Sequence, residues 1–148
     1  MKYFLMLLTT LVLAVPNAYA LNLPSEQSGN HETLCKEQWT KRGILDQRMY
    51  NFCADQQHEG YLNLVALANK YSSQKWIQDA INFSVKKWTK RDVRDDQMAH
   101  NALKDITEGW ENLLYTYKQP KFNQSKYNVC INKWGVEFNM AFYCYSKD

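Results

Sequence analysis

The chain has 148 residues, with 18 Lys and Arg against 15 Asp and Glu and a formal net charge of +3. That near balance leaves no electrostatic footprint for a nucleic-acid partner. Four cysteines, none in a C-x2-C pair, argue against a zinc centre and for disulfides.

The chain begins with Lys2, an apolar run from Phe4 to Val15 broken only by Thr9 and Thr10, then Pro16 and Ala18-Tyr19-Ala20. This is the pattern of a cleavable signal peptide over residues 1–20. The run is shorter than the roughly 20 apolar residues a membrane span needs, and no comparable run follows. The mature chain is therefore expected in the periplasm or outside the cell, without a transmembrane anchor. Loss of Lys2 takes the 18 basic residues to 17 against 15 acidic, a net of +2. Cys35, Cys53, Cys130 and Cys144 all lie in the mature part, an even number in an oxidising compartment.

Residues 21–30 are polar, contain Pro24 and lack periodicity, so a flexible leader is expected. From residue 31 apolar residues recur at three and four, the period of helices. Residues 31–148 read as one helical domain with an internal repeat. Trp39-Thr40-Lys41-Arg42 recurs as Trp88-Thr89-Lys90-Arg91. At the same 49-residue offset Asp46 matches Asp95, Met49 matches Met98, Glu59-Gly60 matches Glu108-Gly109, and Asn63-Leu64 matches Asn112-Leu113. A shortened third copy repeats Cys35-x3-Trp39 as Cys130-x3-Trp134 and Met49-x3-Cys53 as Met140-x3-Cys144. The copies span 31–72, 73–121 and 122–148, and the middle one carries Ser84 and Ala102 at the two cysteine positions.

Each copy predicts two helices. The first helix of copy one is expected from about His31 to Arg42, ended by Gly43. A second, capped by Asp46, should place Met49, Phe52, Cys53, Gln56, Tyr61, Leu64, Ala68 and Tyr71 on one face. In copy two the stripes are Trp76, Ile77, Ala80, Ile81, Val85 and Trp88, then Met98, Ala102, Ile106, Gly109, Leu113 and Tyr117. Lys118 to Lys126, around Pro120, is a linker. Copy three runs through Tyr127, Cys130, Ile131 and Trp134, then Phe138, Ala141, Phe142 and Tyr145. The fold class is all-α: a small disulfide-stabilised bundle or short solenoid of helical hairpins, five or six helices in all. Antiparallel hairpins set Cys35 opposite Cys53 and Cys130 opposite Cys144. One unbroken third-copy helix would put Cys130 and Cys144 about four turns apart, and they would then pair with Cys53 and Cys35.

The stretch Lys133 to Cys144, with Met49 to Gln57, resembles a Cys-x3-Trp then Met-x3-Cys pattern of small exported bacterial and phage-encoded proteins. That resemblance covers about half of the mature chain and implies no activity. The hairpin Cys35 to Asn63 is similar to the cysteine-hairpin domain of LprI-like lysozyme inhibitors, with Met49 and Cys53 one residue further apart here. No functional residue is carried over from it.

The chemistry-bearing residues are few. Trp39, Trp88 and Trp134 hold equivalent places, as interhelical core or as a stacking platform. Lys41-Arg42 and Lys90-Arg91 read as solvated helix ends or as a basic face for phosphate or an acidic partner. His31, His58 and His100 form no metal-ligand or nucleophile motif, and adjacent His58 and Glu59 diverge by about 100 degrees on a helix. Glu59-Gly60 and Glu108-Gly109 indicate close packing at the glycine with the glutamate exposed. No cofactor is expected. The favoured function is a non-enzymatic module that binds another envelope or extracellular protein, as an inhibitor or immunity-type factor does, with Trp39, Lys41, Arg42, Trp88, Lys90 and Arg91 as its contact residues. The alternative is a peptidoglycan hydrolase using Glu59 or Glu108.

Overall fold

A computed structural model describes residues 20–26 and 28–147. The expected signal peptide, residues 1–20, lies outside the described residues apart from Ala20. Among the described residues six helices make up most of the structure: α1 Ser28–Trp39, α2 Gln47–Lys70, α3 Ile77–Lys87, α4 Asp96–Tyr117, α5 Gln124–Trp134 and α6 Phe138–Ser146. Between α1 and α2 lie β1 Thr40–Lys41 and β2 Ile44–Leu45. Between α3 and α4 lie β3 Thr89–Lys90 and β4 Val93–Arg94.

These two-residue strands correct the expected helix from His31 to Arg42. The helix stops at Trp39, and the next six residues form an antiparallel hairpin in which Thr40 pairs with Leu45 and Lys41 with Ile44. Arg42 (φ 53°) and Gly43 (φ 79°) make its turn, both in the left-handed region that such two-residue loops require. The middle copy repeats the turn with Arg91 (φ 50°) and Asp92 (φ 61°). Lys41, Arg42, Lys90 and Arg91 are thus strand and turn residues, not helix ends. The local signal was the β-branched Thr40 and Ile44 around Arg-Gly.

Each hairpin closes on the helix that follows. The Asp46 carboxylate accepts from Met49 N at 3.1 Å, and Asp95 accepts from Met98 N at 3.0 Å. Asp46 N donates to Trp39 O at 3.0 Å, and Asp95 N to Trp88 O at 2.9 Å. The third copy replaces the six-residue hairpin by Gly135-Val136 and keeps the closure, Glu137 N donating to Trp134 O at 3.1 Å. Gly135 takes φ 55° there, a left-handed stop that separates α5 from α6. The unbroken third-copy helix is therefore absent, and Cys35 pairs with Cys53 and Cys130 with Cys144, each at Cα–Cα 5.7 Å.

The second helices of the copies stack in order, α2 on α4 and α4 on α6. The same glycine makes both joints. A methyl group on Gly60 would fall on the backbone of Asp96 and Gln97 at the start of α4; one on Gly109 would fall on Phe138 and Asn139 at the start of α6. Only glycine lets the helix ends approach so closely, and Glu59 and Glu108 are left in solvent. The core between the layers is Leu64, Ala68, Tyr71, Ile77, Ala80, Ile81, Ala99, Leu103, Ile106, Leu113, Phe138 and Ala141. Trp76 sits in an aromatic group with Tyr71, Trp110 and Phe138, ring centroids 5.8, 5.4 and 5.0 Å away.

Two expected faces shift. Phe52 is 58% exposed, because α2 buries the stripe Cys53, Gln57, Gly60, Leu64 and Ala68, one residue further round. Tyr117 is exposed near the end of α4, and α5 begins inside the expected linker, capped by Asn123. Residues 21–26, expected as a flexible leader, lie along the domain. Asn22 N donates to Gln78 Oε1 at 2.8 Å, Leu21 and Leu23 pack on the core, and Glu26 meets His58 Nδ1 at 2.6 Å.

Candidate functional site

Of the expected contact residues, Lys41, Arg42, Lys90 and Arg91 lie on the two β-hairpins, and Trp39 and Trp88 immediately precede them. In the second hairpin Trp88, Lys90, Arg91, Val93 and Asp95 line a groove of about 450 Å³ whose other wall is α1, through Thr33, Leu34 and Glu37. In the first hairpin the equivalent Trp39, Lys41, Ile44 and Asp46 line a depression of about 360 Å³ with no helix across it among the described residues. The stack thus brings the six residues together as two equivalent surfaces, one roofed and one open. Ile44 at the open surface is 76% exposed, whereas its counterpart Val93 is half-buried.

The tryptophans are neither wholly core nor wholly surface. Trp39, Trp88 and Trp134 are all half-buried. Trp88 and Trp134 pack on the main core, and each of the three hides an indole N–H that has no partner among the described residues.

A buried polar cluster was missed in the sequence. Asp96, fully buried at the start of α4, receives Arg94 Nε at one oxygen and His31 Nε2 with Arg94 at the other, the last at 3.0 Å. Its backbone N–H donates to Gln57 Oε1 at 2.7 Å, and Gln57 Nε2 donates to Asp95 at 3.0 Å. Arg94, 2% exposed, also donates to Ser25 O at 3.0 Å and lies over the Tyr61 ring. Every member is satisfied, which a buried charge needs. The cluster pins α1 and the leader to α4. Through it the His31–Asp96 pair fastens α1 to the start of α4. The available signal was a break in the repeat, since Arg94 and Asp96 stand where copy one has Leu45 and Gln47.

The α2–α4 face carries Glu59, Glu108, His100 and Glu111. Glu59 lines one depression and Glu108 another, with His100 and Asn63 common to both. Both glutamates are exposed, and Glu108 pairs with Lys104 at 3.8 Å. Burial pushes the His100 imidazole below its ordinary value, aided by Lys104 and opposed by Glu59. Tyr71 O–H donates to Glu111, and that bond, with Lys70 nearby, holds the Glu111 carboxyl below the usual carboxylate range. Glu111 is thereby kept ionised, the reverse of what a general acid for glycoside cleavage needs. Among the described residues no group of three or more His, Cys, Asp and Glu is placed to hold a metal ion. No helix among them is long and apolar enough to cross a membrane.

Comparison with known proteins adds no assignment: no family model matches the chain, and no curated protein or solved structure does.

Proposed function

We propose that this is an exported, non-enzymatic module that binds another envelope or extracellular protein, of the inhibitor or immunity type, through the edge formed by its β-hairpins. The observation that carries this reading is the open first hairpin: a disulfide-braced platform presenting Ile44, Lys41 and Arg42 to solvent beside the buried, unpartnered indole N–H of Trp39. A rigid apolar anchor ringed by cations is the anatomy of a protein-recognition patch, and it needs no catalytic constellation. Two disulfides suit an oxidising compartment. The similarity of Cys35 to Asn63 to the cysteine hairpin of lysozyme inhibitors agrees with it, although a mature charge of +2 gives no steering toward a cationic lysozyme.

The test is site-specific photo-crosslinking in the exporting cell, with the photo-reactive side chain placed in turn at Ile44, Tyr115 and Val129, all exposed. A stoichiometric protein adduct at any of the three is the expected result. Absence of an adduct, together with release of muropeptides from purified peptidoglycan by the same protein, would replace this reading with a hydrolase using Glu59 or Glu108.

A further inference from the structure

The molecule contains its own template for what the open hairpin binds. Helix α1 lies against β4, and from it Leu34 and, one turn on, Glu37 share the groove with Val93, Trp88, Lys90 and Arg91. One copy further along, α3 packs on α4 and reaches the start of α6 at the next junction. Phe83, the counterpart of Leu34, lines a cavity with Trp88 and Glu137, the counterpart of Asp95. The first helix of copy one thus covers the closure of copy two, and that of copy two borders the closure of copy three. Two surfaces are left over by this rule. The first hairpin has no preceding helix over it among the described residues, and α5 packs on α6 with no further copy beside it among them, so that Val129, the counterpart of Leu34 and Phe83, is 63% exposed.

We infer that the first hairpin binds an amphipathic helix of a partner protein bearing an apolar residue and, one turn later, an acidic one, seated on Trp39, Lys41 and Ile44 as α1 is seated on Trp88, Lys90 and Val93. Charge selects the acid. Glu37 faces Lys90 and Arg91 across the second groove, and Lys41 and Arg42 stand in the same positions on the first. A second copy of the chain is the other occupant the rule allows, through its α5, but α5 offers Val129 followed by Asn132 and Lys133 where α1 offers Leu34 followed by Glu37 and Gln38. That helix would bring a cation and no acid to Lys41 and Arg42. The anchor also differs between the two sites. The buried Arg94 and Asp96 that hold His31 of α1 are replaced by Leu45 and Gln47, so the docked helix needs an apolar residue in the place of His31 and binds reversibly.

This inference rests on the protein-binding reading, and its test separates the two. The probe is a helix-stabilised peptide of residues 28–39 carrying His31→Leu and Cys35→Ala, titrated into the mature full-length protein and followed by amide and indole NMR signals. Saturable shifts are expected at Trp39, Lys41 and Ile44 and not at Trp88 or Val93, which α1 already covers. The Lys41→Glu, Arg42→Glu protein should bind the probe at least about tenfold more weakly, and a Glu37→Lys probe should recover that loss. Both side chains are exposed, and an unchanged unfolding midpoint of the variant shows that the fold is kept. Shifts elsewhere, or affinity indifferent to the charge exchange, would overturn the inference. So would self-association by sedimentation that Val129→Lys abolishes, since it makes a second copy the occupant. Photo-adducts confined to Tyr115 or Val129 would leave the protein-binding reading standing and remove the hairpin from it, whereas loss of adducts at all three positions would remove both.

Discussion

The first and middle copies share a fold and hold it together differently. In copy one, α1 buries little beyond His31 and Cys35, and the Cys35–Cys53 bridge ties it to α2. In copy two, α3 buries Ile77, Ala80, Ile81 and Ser84, with Ser84 and Ala102 where the bridge would be. The vacated position is imperfectly filled. The Ser84 hydroxyl is buried without a hydrogen-bond partner among the described residues, and Ala102 borders a cavity of about 90 Å³. What compensates is location: the middle copy has a neighbour on both sides, and each terminal copy has one. In a stacked repeat, burial scales with the number of neighbours, so end copies with thin cores depend on a cross-link that the centre can lose.

The sharpest break in that comparison lies at the start of the second helices. Asp96→Ala leaves Arg94 buried without its carboxylate and should cost about 3–5 kcal/mol. The equivalent change in copy one, Gln47→Ala, removes an exposed side chain bonded to Asn51 and should cost less than about 0.5 kcal/mol. Chemical denaturation of the two variants measures the difference, and equal costs would mean that the cluster fastens nothing.

The bridge itself comes next. Replacing Cys35 and Cys53 by Ala opens a loop of 18 residues and should cost about 3 kcal/mol by the chain-entropy relation. The reciprocal change, Ser84→Cys with Ala102→Cys, should stabilise by less than about 1 kcal/mol, because α3 is already held by apolar burial on both sides. Thermal melts under oxidising conditions decide this. An equal gain and loss would show that the middle copy lacks the bridge for reasons other than its neighbours.

A smaller contrast concerns the tryptophans. Trp88 packs on the main core, and Trp39, at the end of α1, lines the open depression at the first hairpin. Trp88→Ala should cost about 2–3 kcal/mol, below the range for a fully buried tryptophan because its ring is half exposed. Trp39→Ala should cost about 1 kcal/mol and lower binding of the helical probe instead. Unfolding midpoints of the two variants, read beside probe titrations, test the assignment of one as core and the other as contact.

These contrasts also mark what was legible in the sequence. The helical fold and the cysteine pairing could be read because each follows a repeated local pattern: Asp46 and Asp95 as caps, Gly60 and Gly109 as joints, Cys-x3-Trp as the bridge position. The hairpin turns escaped because Lys41-Arg42 and Lys90-Arg91 suit a helix end equally well, and only the positive φ of Arg42 and Gly43 distinguishes the two. The Asp96 cluster escaped because His31 is 65 residues away and nothing local ties it to Arg94. The leader escaped because its polar composition says nothing of Gln78, the side chain that receives Asn22. The half-roofed site was beyond a linear reading altogether, since it depends on which helix of one copy lies over the next.

The smallest expected effect separates the copies by pH. His100 of copy two sits between α2 and α4, where copy one has the exposed Asn51. Burial, and then Lys104, make the protonated imidazole less favourable in the folded protein than in the unfolded chain, and Glu59 opposes this only in part. The folded state thus binds a proton less readily than the unfolded state. Above the ordinary value of 6.5 both states carry neutral imidazole and His100 has no influence on stability. As pH falls below 6.5 the unfolded chain takes up the proton first, so stability declines until the lower folded value is passed and then levels off. Solvent reaches the ring, so the decline should stay below about 1 kcal/mol. His100→Asn installs the first-copy residue and should flatten this part of the stability profile while leaving the value above pH 7 nearly unchanged. Urea midpoints at closely spaced pH values measure it. If His100→Asn tracks the parent protein through that window, the α2–α4 joint does not desolvate the ring and is looser than the glycine contact at Gly60 requires.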